Sequence, residues 1–222
     1  PYIPAERSVW TVQAPQYESP HAEASTSIHE MAERYFEVLK HEKLALNGAI
    51  LVGWSLGGMV AFELASLAES HGEKPAHVVL LDAYPQKYWR EREEPTGKEV
   101  WLAIARMGGV EPEESDLNQH AIISLLQKRG TALGYLSSEH LTTCIDQVRQ
   151  TMRIIRQGQP STVQTPTTVV SASGSQELGA DARAWEEYDD AVDIIDLQAT
   201  HIDLIDPKTL EEYAQKVFSQ EK

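Results

Sequence analysis

Three residues carry the chemistry this chain could do: Ser55, Asp82 and His201. Ser55 stands in Gly53-Trp54-Ser55-Leu56-Gly57, a G-x-S-x-G pattern between the apolar run Ala49–Val52 and the apolar stretch Met59–Leu67. A serine hydroxyl becomes a useful nucleophile when a sharp strand-to-helix turn lifts it clear of the sheet, within reach of a base. The flanking residues fit that order. Ala49–Val52 suits a strand buried on both faces, and Met59, Val60, Phe62, Leu64 and Leu67 bury most sides of a helix. Gly53 and Gly57, lacking a Cβ, are expected to let the strand and helix approach closely. Ser55 then sits at a helix N-terminus, where the unpaired Leu56 N–H can donate to an oxyanion. The pattern alone is weak, since a Gly-rich turn whose serine merely caps a helix matches it too. The strand before it and the helix after it favour the nucleophile.

A nucleophilic serine needs a base, and the base needs a carboxylate. Of eight histidines, His201 alone follows the end of an apolar strand, Val192–Leu197, in a loop leading to a helix. Asp82 directly follows another strand, His77–Leu81. The order Ser…Asp…His and three strand-end placements agree with a triad. Glu177 and Asp181, in the loop after a later strand, are alternative acids. Asp82 is the better candidate because a strand end holds a side chain more firmly than a polar loop. His29 and His41 read as solvated, and His71, His77, His120 and His140 as surface or core residues. No His/Cys/Glu group has metal-ligand spacing and no Gly-rich phosphate loop occurs, so neither a metal nor a cofactor of its own is expected.

The elements that must position these residues follow a strand–helix rhythm that implies a parallel sheet with right-handed crossovers. Ser8–Gln13 alternates as a strand would, and residues 16–25 read as a polar loop. Ser27 and Glu30 open a helix with the stripe Ile28, Met31, Tyr35, Val38 and Leu39. The sheet resumes at Val163–Ser171 and opens into a loop at residues 172–175. Asp206 and Pro207 start the closing helix. Between Gln86 and Gln159 no strand pattern appears. Stripes at 96–107, at Leu117–Leu126 and from Leu133 and Leu136 to Ile155 predict a helical insertion, either a lid over the site or a static subdomain. The fold class expected is α/β, a mostly parallel sheet flanked by helices with this insertion at 86–159, forming one domain over 1–222.

Composition excludes several classes. The 222 residues carry 19 basic against 34 acidic side chains, a net charge of −15. That argues against nucleic acid and anionic membrane surfaces as partners. One cysteine, Cys144, leaves no internal disulfide and suits a reducing cytoplasm. No apolar run is long enough to span a membrane.

The motifs GWSLGG, VVLLDAYP (82 − 55 = 27 residues from serine to aspartate) and ATHIDLI resemble those of the type I thioesterase domains that terminate nonribosomal peptide and polyketide synthases. The resemblance runs from about Val9 to Phe218 and takes in the QAP loop and the SIHEMAERY helix. It implies an α/β-hydrolase fold with Ser55, Asp82 and His201 as triad. It further implies an acyl or peptidyl carrier protein domain as partner, in the same polypeptide. Its phosphopantetheine thioester would deliver an acyl chain to Ser55 for release by hydrolysis or macrocyclisation. A stand-alone editing thioesterase, a small-molecule carboxylesterase and a non-enzymatic binding module of the same fold are the alternatives. Family members open with a strand and a Gly-containing loop that supplies a second oxyanion donor. No glycine precedes Gly48, so that segment is expected to be missing here.

Overall fold

Four short runs become strands: β1 (Ile50–Trp54), β2 (His77–Leu81), β3 (Thr167–Ala172) and β4 (Val192–Leu197). The computed structural model describes residues 8–13, 25–93, 95–129, 135 and 137–218. Among these the strands form one sheet in chain order, all parallel. β3 is buried at every position and β2 at all but its first, as continuous apolar runs in the middle of a covered parallel sheet should be. Trp54 lies opposite Leu81, and Leu81 opposite Val170. The ladder runs one step beyond the strands. Ser55 N–H donates to the Leu81 carbonyl at 2.9 Å and Asp82 N–H to that of Val170 at 2.8 Å.

The described residues divide into two compact units. The first, from residues 8–13, 25–91 and 155–218, holds the sheet. Its helices are α1 (Ile28–His41), α2 (Leu56–Ser70), α3 (Gln86–Arg90), α7 (Ser173–Glu177) and α8 (Pro207–Phe218), the last three numbered in chain order around the second unit. Ser27 Oγ caps α1 by accepting the Glu30 N–H at 3.0 Å. The Glu30 carboxylate reaches back to Thr26 N–H at 2.7 Å, one residue earlier than a reciprocal capping box requires. α2 buries Glu63, which is 4% exposed. Its carboxylate accepts from Ser161 Oγ at 2.7 Å and Ser161 N–H at 3.1 Å. It also meets His29 Nδ1 at 2.7 Å. His29 is therefore tied to a buried carboxylate rather than simply solvated. On α8, Tyr213 and Val217 pack with Leu204, Val79 and Val170, and Tyr213 Oη donates to the Leu204 carbonyl at 2.9 Å.

The second unit, Arg92–Ile154, contains α4 (Gly97–Met107), α5 (Gln119–Arg129) and α6 (Ser138–Ile154). Thr96 and Glu99 form a complete capping box on α4. Val100, Trp101, Ile104, Ala105, Ile122 and Leu126 make its own core. Polar ties such as Lys98–Glu114 at 3.2 Å and Arg106–Glu111 at 2.9 Å lie on its surface. No strand occurs among its described residues, as the sequence predicts.

Three local expectations change. Ser8–Gln13 is not a strand, and its apolar members Val9 and Trp10 are 63% and 66% exposed. Alternation suits a strand, but a strand forms only where a partner edge completes the ladder. β3 starts at Thr167 rather than Val163, and residues 173–177 fold as α7 instead of a loop. Residues 16–24 of the expected polar loop, and Leu133 and Leu136, lie outside the described residues. No helix among the described residues is long and apolar enough to cross a membrane.

Candidate active site

The turn between β1 and α2 holds Ser55 at φ 55° and ψ −124°. Side chains rarely adopt this conformation, and it persists only where the surroundings impose it. Here the Leu81 carbonyl holds the Ser55 N–H, and the Ser55 carbonyl accepts the Gly58 N–H at 3.0 Å. The Ser55 hydroxyl makes no capping bond to α2, so the helix-cap alternative fails. Leu56 is the first residue of α2, and its N–H has no acceptor four residues back.

The glycines divide differently from the expectation. A Cβ on Gly53 would lie 2.1 Å from the Gly57 carbonyl oxygen, and one on Gly58 would lie 2.5 Å from Ala83 Cβ. A Cβ on Gly57 would meet nothing within 4 Å. Close approach is thus required of Gly53 and Gly58. Gly57 contributes its backbone to the contact, not its missing side chain.

Asp82 follows β2 at φ 48° and is 1% exposed. The left-handed region is one that aspartate tolerates better than most residues. Its carboxylate is fully engaged. Oδ1 accepts from Tyr84 Oη at 2.6 Å and Ala172 N–H at 2.9 Å. Oδ2 accepts from Ser175 Oγ at 2.5 Å and meets His201 Nδ1 at 2.6 Å. Burial alone would push this carboxyl up; the hydrogen bonds from His201, Ser175, Tyr84 and Ala172 outweigh it and hold it below its ordinary value. Asp82 is thus a carboxylate, which only accepts, so Nδ1 of His201 carries the proton and Nε2 is left as the basic nitrogen.

His201 sits in the loop after β4, its side chain 38% exposed. Thr200 N–H and Oγ1 both donate to Asp203, at 2.8 and 2.7 Å, which tightens the turn around it. Trp54 stacks on the imidazole, with ring centroids 4.8 Å apart and planes 29° from parallel. Its indole Nε1–H donates to the His201 carbonyl at 3.0 Å.

The structure therefore brings Asp82 and His201 together and seats Ser55 in the turn after β1, the strand paired with the one that Asp82 follows. It does not bring the alternative acids there. Asp181 instead accepts the Arg183 N–H at 2.9 Å, capping a 3-10 turn over Ala182–Glu187, and Glu177 ends α7. Trp54, Tyr84 and Ser175 escaped the sequence reading. Trp54 and Ser175 meet partners far along the chain, and the one local signal, adjacency to Ser55 for Trp54 and to Asp82 for Tyr84, does not state a role. Among the described residues no group of His, Cys, Asp and Glu could hold a metal ion.

Comparison with known proteins places the chain in a family. The chain is 28% identical over 166 residues to a dimodular nonribosomal peptide synthase of Bacillus subtilis (strain 168), covering 72% of this chain and 7% of that one. In fold it resembles holo-AB3403, a four-domain nonribosomal peptide synthetase bound to AMP and glycine (TM-score 0.76, 17% identity, 90% of this chain and 16% of that one). It also resembles the thioesterase domain of NocB in covalent complex with a fluorophosphonate nocardicin G analog (TM-score 0.64, 19% identity, 93% of this chain and 79% of that one). The chain thus spans a small fraction of the synthase it matches in sequence, and its fold is that of the α/β-hydrolase thioesterase domains. The thioesterase domain model matches residues 1–220, and the chain belongs to that family.

Proposed function

We propose that this domain releases an acyl or peptidyl chain from the phosphopantetheine thioester of a carrier protein domain, through an acyl enzyme on Ser55. His201 Nε2 takes the Ser55 proton as Oγ attacks the thioester carbonyl. The Leu56 N–H donates to the oxyanion. Collapse expels the pantetheine thiolate, which leaves with the proton from His201. A water, or a nucleophile within the chain itself, then repeats the cycle on the ester and restores the Ser55 hydroxyl. Asp82 keeps the imidazole in the required tautomer and stabilises the imidazolium formed at each step. The observation that carries this reading is the 2.6 Å contact between buried Asp82 and His201, beside a serine held at φ 55°. The likeness to synthase relatives supports a carrier domain as partner, in the same polypeptide. The single cysteine in the sequence suits a cytoplasmic setting.

The test is mass spectrometry after adding an acyl-pantetheine thioester or a fluorophosphonate. An adduct on Ser55 is expected, together with its loss in a folded Ser55→Ala variant. Undiminished thioester turnover by Ser55→Ala would remove Ser55 as nucleophile. Turnover of simple esters with none of pantetheine thioesters would instead indicate a carboxylesterase.

A further inference from the structure

We infer that Trp54 is a positioning residue for the base, aligning His201 with the serine that directly follows it in the chain; this rests on the reading of His201 as the base for Ser55. Two contacts of different kind join Trp54 to the same residue. The indole Nε1–H donates to the His201 carbonyl at 3.0 Å, and the ring lies against the imidazole at 4.8 Å. The first fixes the loop backbone and the second fixes the plane of the side chain.

The site needs both. His201 belongs to a surface loop: its side chain is 38% exposed, and the next residue, Ile202, is 40% exposed. The bond to Asp82 holds one end of the ring but leaves it free to swing about that end. No hydrogen bond joins Ser55 Oγ to His201 in the structure, so the nucleophile itself does not stop that motion. Trp54 closes the gap. It ends β1 opposite Leu81, the residue whose carbonyl holds the Ser55 N–H. Any shift of the elbow therefore carries the Trp54 ring, and with it His201, in the same direction. A flat ring on the imidazole also favours the cation that forms when His201 takes the proton. Few side chains do all of this. Phenylalanine supplies the ring without the donor, and leucine supplies neither.

The experiment compares wild type with Trp54→Phe and Trp54→Leu, after thermal unfolding establishes which are folded. Three readouts are the rate of fluorophosphonate labelling of Ser55, kcat and KM on an acyl-pantetheine thioester, and the downfield proton signal of His201 Nδ1–H. Losing one hydrogen bond should slow labelling about fivefold in Trp54→Phe. Losing ring and bond together should slow it about 100-fold in Trp54→Leu. In each variant kcat should fall with KM unchanged, and the Nδ1–H signal should broaden more in Trp54→Leu than in Trp54→Phe. If Trp54→Leu does not fold, Trp54→Phe alone decides. Wild-type labelling and kcat in a folded variant would overturn the proposal. So would a raised KM at constant kcat, which marks a substrate contact instead. A wild type that never labels at Ser55 would be a different failure: it would remove the triad reading, and the positioning role with it.

Discussion

The sheet unit buries carboxylates, whereas the helical unit buries none among its described residues. At the carboxyl edge of the sheet, Asp82 is 1% exposed and takes four hydrogen bonds. The carboxylates of the helical unit lie on its surface, as Glu114 and Glu111 do with Lys98 and Arg106. A buried, fully hydrogen-bonded carboxylate costs a great deal to disturb, whereas exposed pairs contribute at most about 1 kcal/mol. All three triad candidates belong to the sheet unit. The contrast teaches that a buried, fully hydrogen-bonded carboxylate lies among the triad candidates, while the helical unit is held by its own apolar core and the cap of α4.

The sharpest way to break this comparison is to remove one carboxylate from each unit. Asp82→Asn should cut thioester turnover by about 10⁴-fold in a folded protein, because the amide no longer selects the Nδ1–H tautomer of His201. Glu99→Gln, which alters the cap of α4, should leave turnover near wild type. Steady-state kinetics on both variants checks the ranking. A larger loss from Glu99→Gln would overturn the division of labour.

Glycine substitutions probe the same contrast through backbone rigidity. A Cβ on Gly53 meets the Gly57 carbonyl oxygen at 2.1 Å, whereas one on Gly108 meets Leu126 Cδ2 at 2.0 Å. Backbone in the elbow has nowhere to go, but the end of a leucine can change rotamer. Gly53→Ala should therefore cost about 3 kcal/mol or more, and Gly108→Ala about 1–2. Chemical denaturation of each variant measures the difference. Equal costs would mean that the elbow is no stiffer than the helical unit.

The smallest effect expected is a pH dependence confined to the sheet unit. The hydrogen bond to Glu63 raises the pKa of His29; burial opposes it, and the Glu63 and Glu33 charges reinforce it. A raised pKa means that the stabilisation is complete below about pH 6.5 and is lost as pH rises through the higher folded value. Burial lowers the pKa of His77, which has the opposite effect in the same window, so the His29 contribution is read by difference. Wild type should gain on His29→Gln as pH falls from about 8 to 6, by under about 1 kcal/mol because His29 is half-exposed. A gap between wild type and His29→Gln that stays constant with pH would exclude the His29–Glu63 pair as its source.

Much of this was legible in the sequence because the signals were local. His77–Leu81 announces a buried strand, Thr96 and Asp206 announce helix starts, and the strand-end positions of Asp82 and His201 follow. Ala49–Val52 gives a strand, but not one buried on both faces: among the described residues β1 edges the sheet and Val52 is 49% exposed, because strand pairing is not written in an apolar run. What stayed hidden depends on partners far along the chain. Trp54 meets its partner 147 residues away and Ser175 meets Asp82 93 residues away. No periodicity encodes either contact. Ser173-Gly174-Ser175 reads as a turn because small polar residues compete for backbone hydrogen bonds, yet it begins α7, with Ser175 donating to Asp82. Gly57 is part of the motif, but which glycine needed to lack a Cβ was set by helix packing rather than by the pattern.

The chain leaves the sheet unit after Glu91 and returns at Ile155, and Arg90 donates to the Gly158 carbonyl across that gap. With its two ends held side by side, the intervening segment is thermodynamically a closed loop. Closing such a loop costs an entropy that grows only with the logarithm of its length, about 0.6 kcal/mol for each doubling. The sheet unit can therefore host shorter or longer helical segments at this position with little change in its own stability. Variation in size is cheapest where it leaves the triad scaffold untouched.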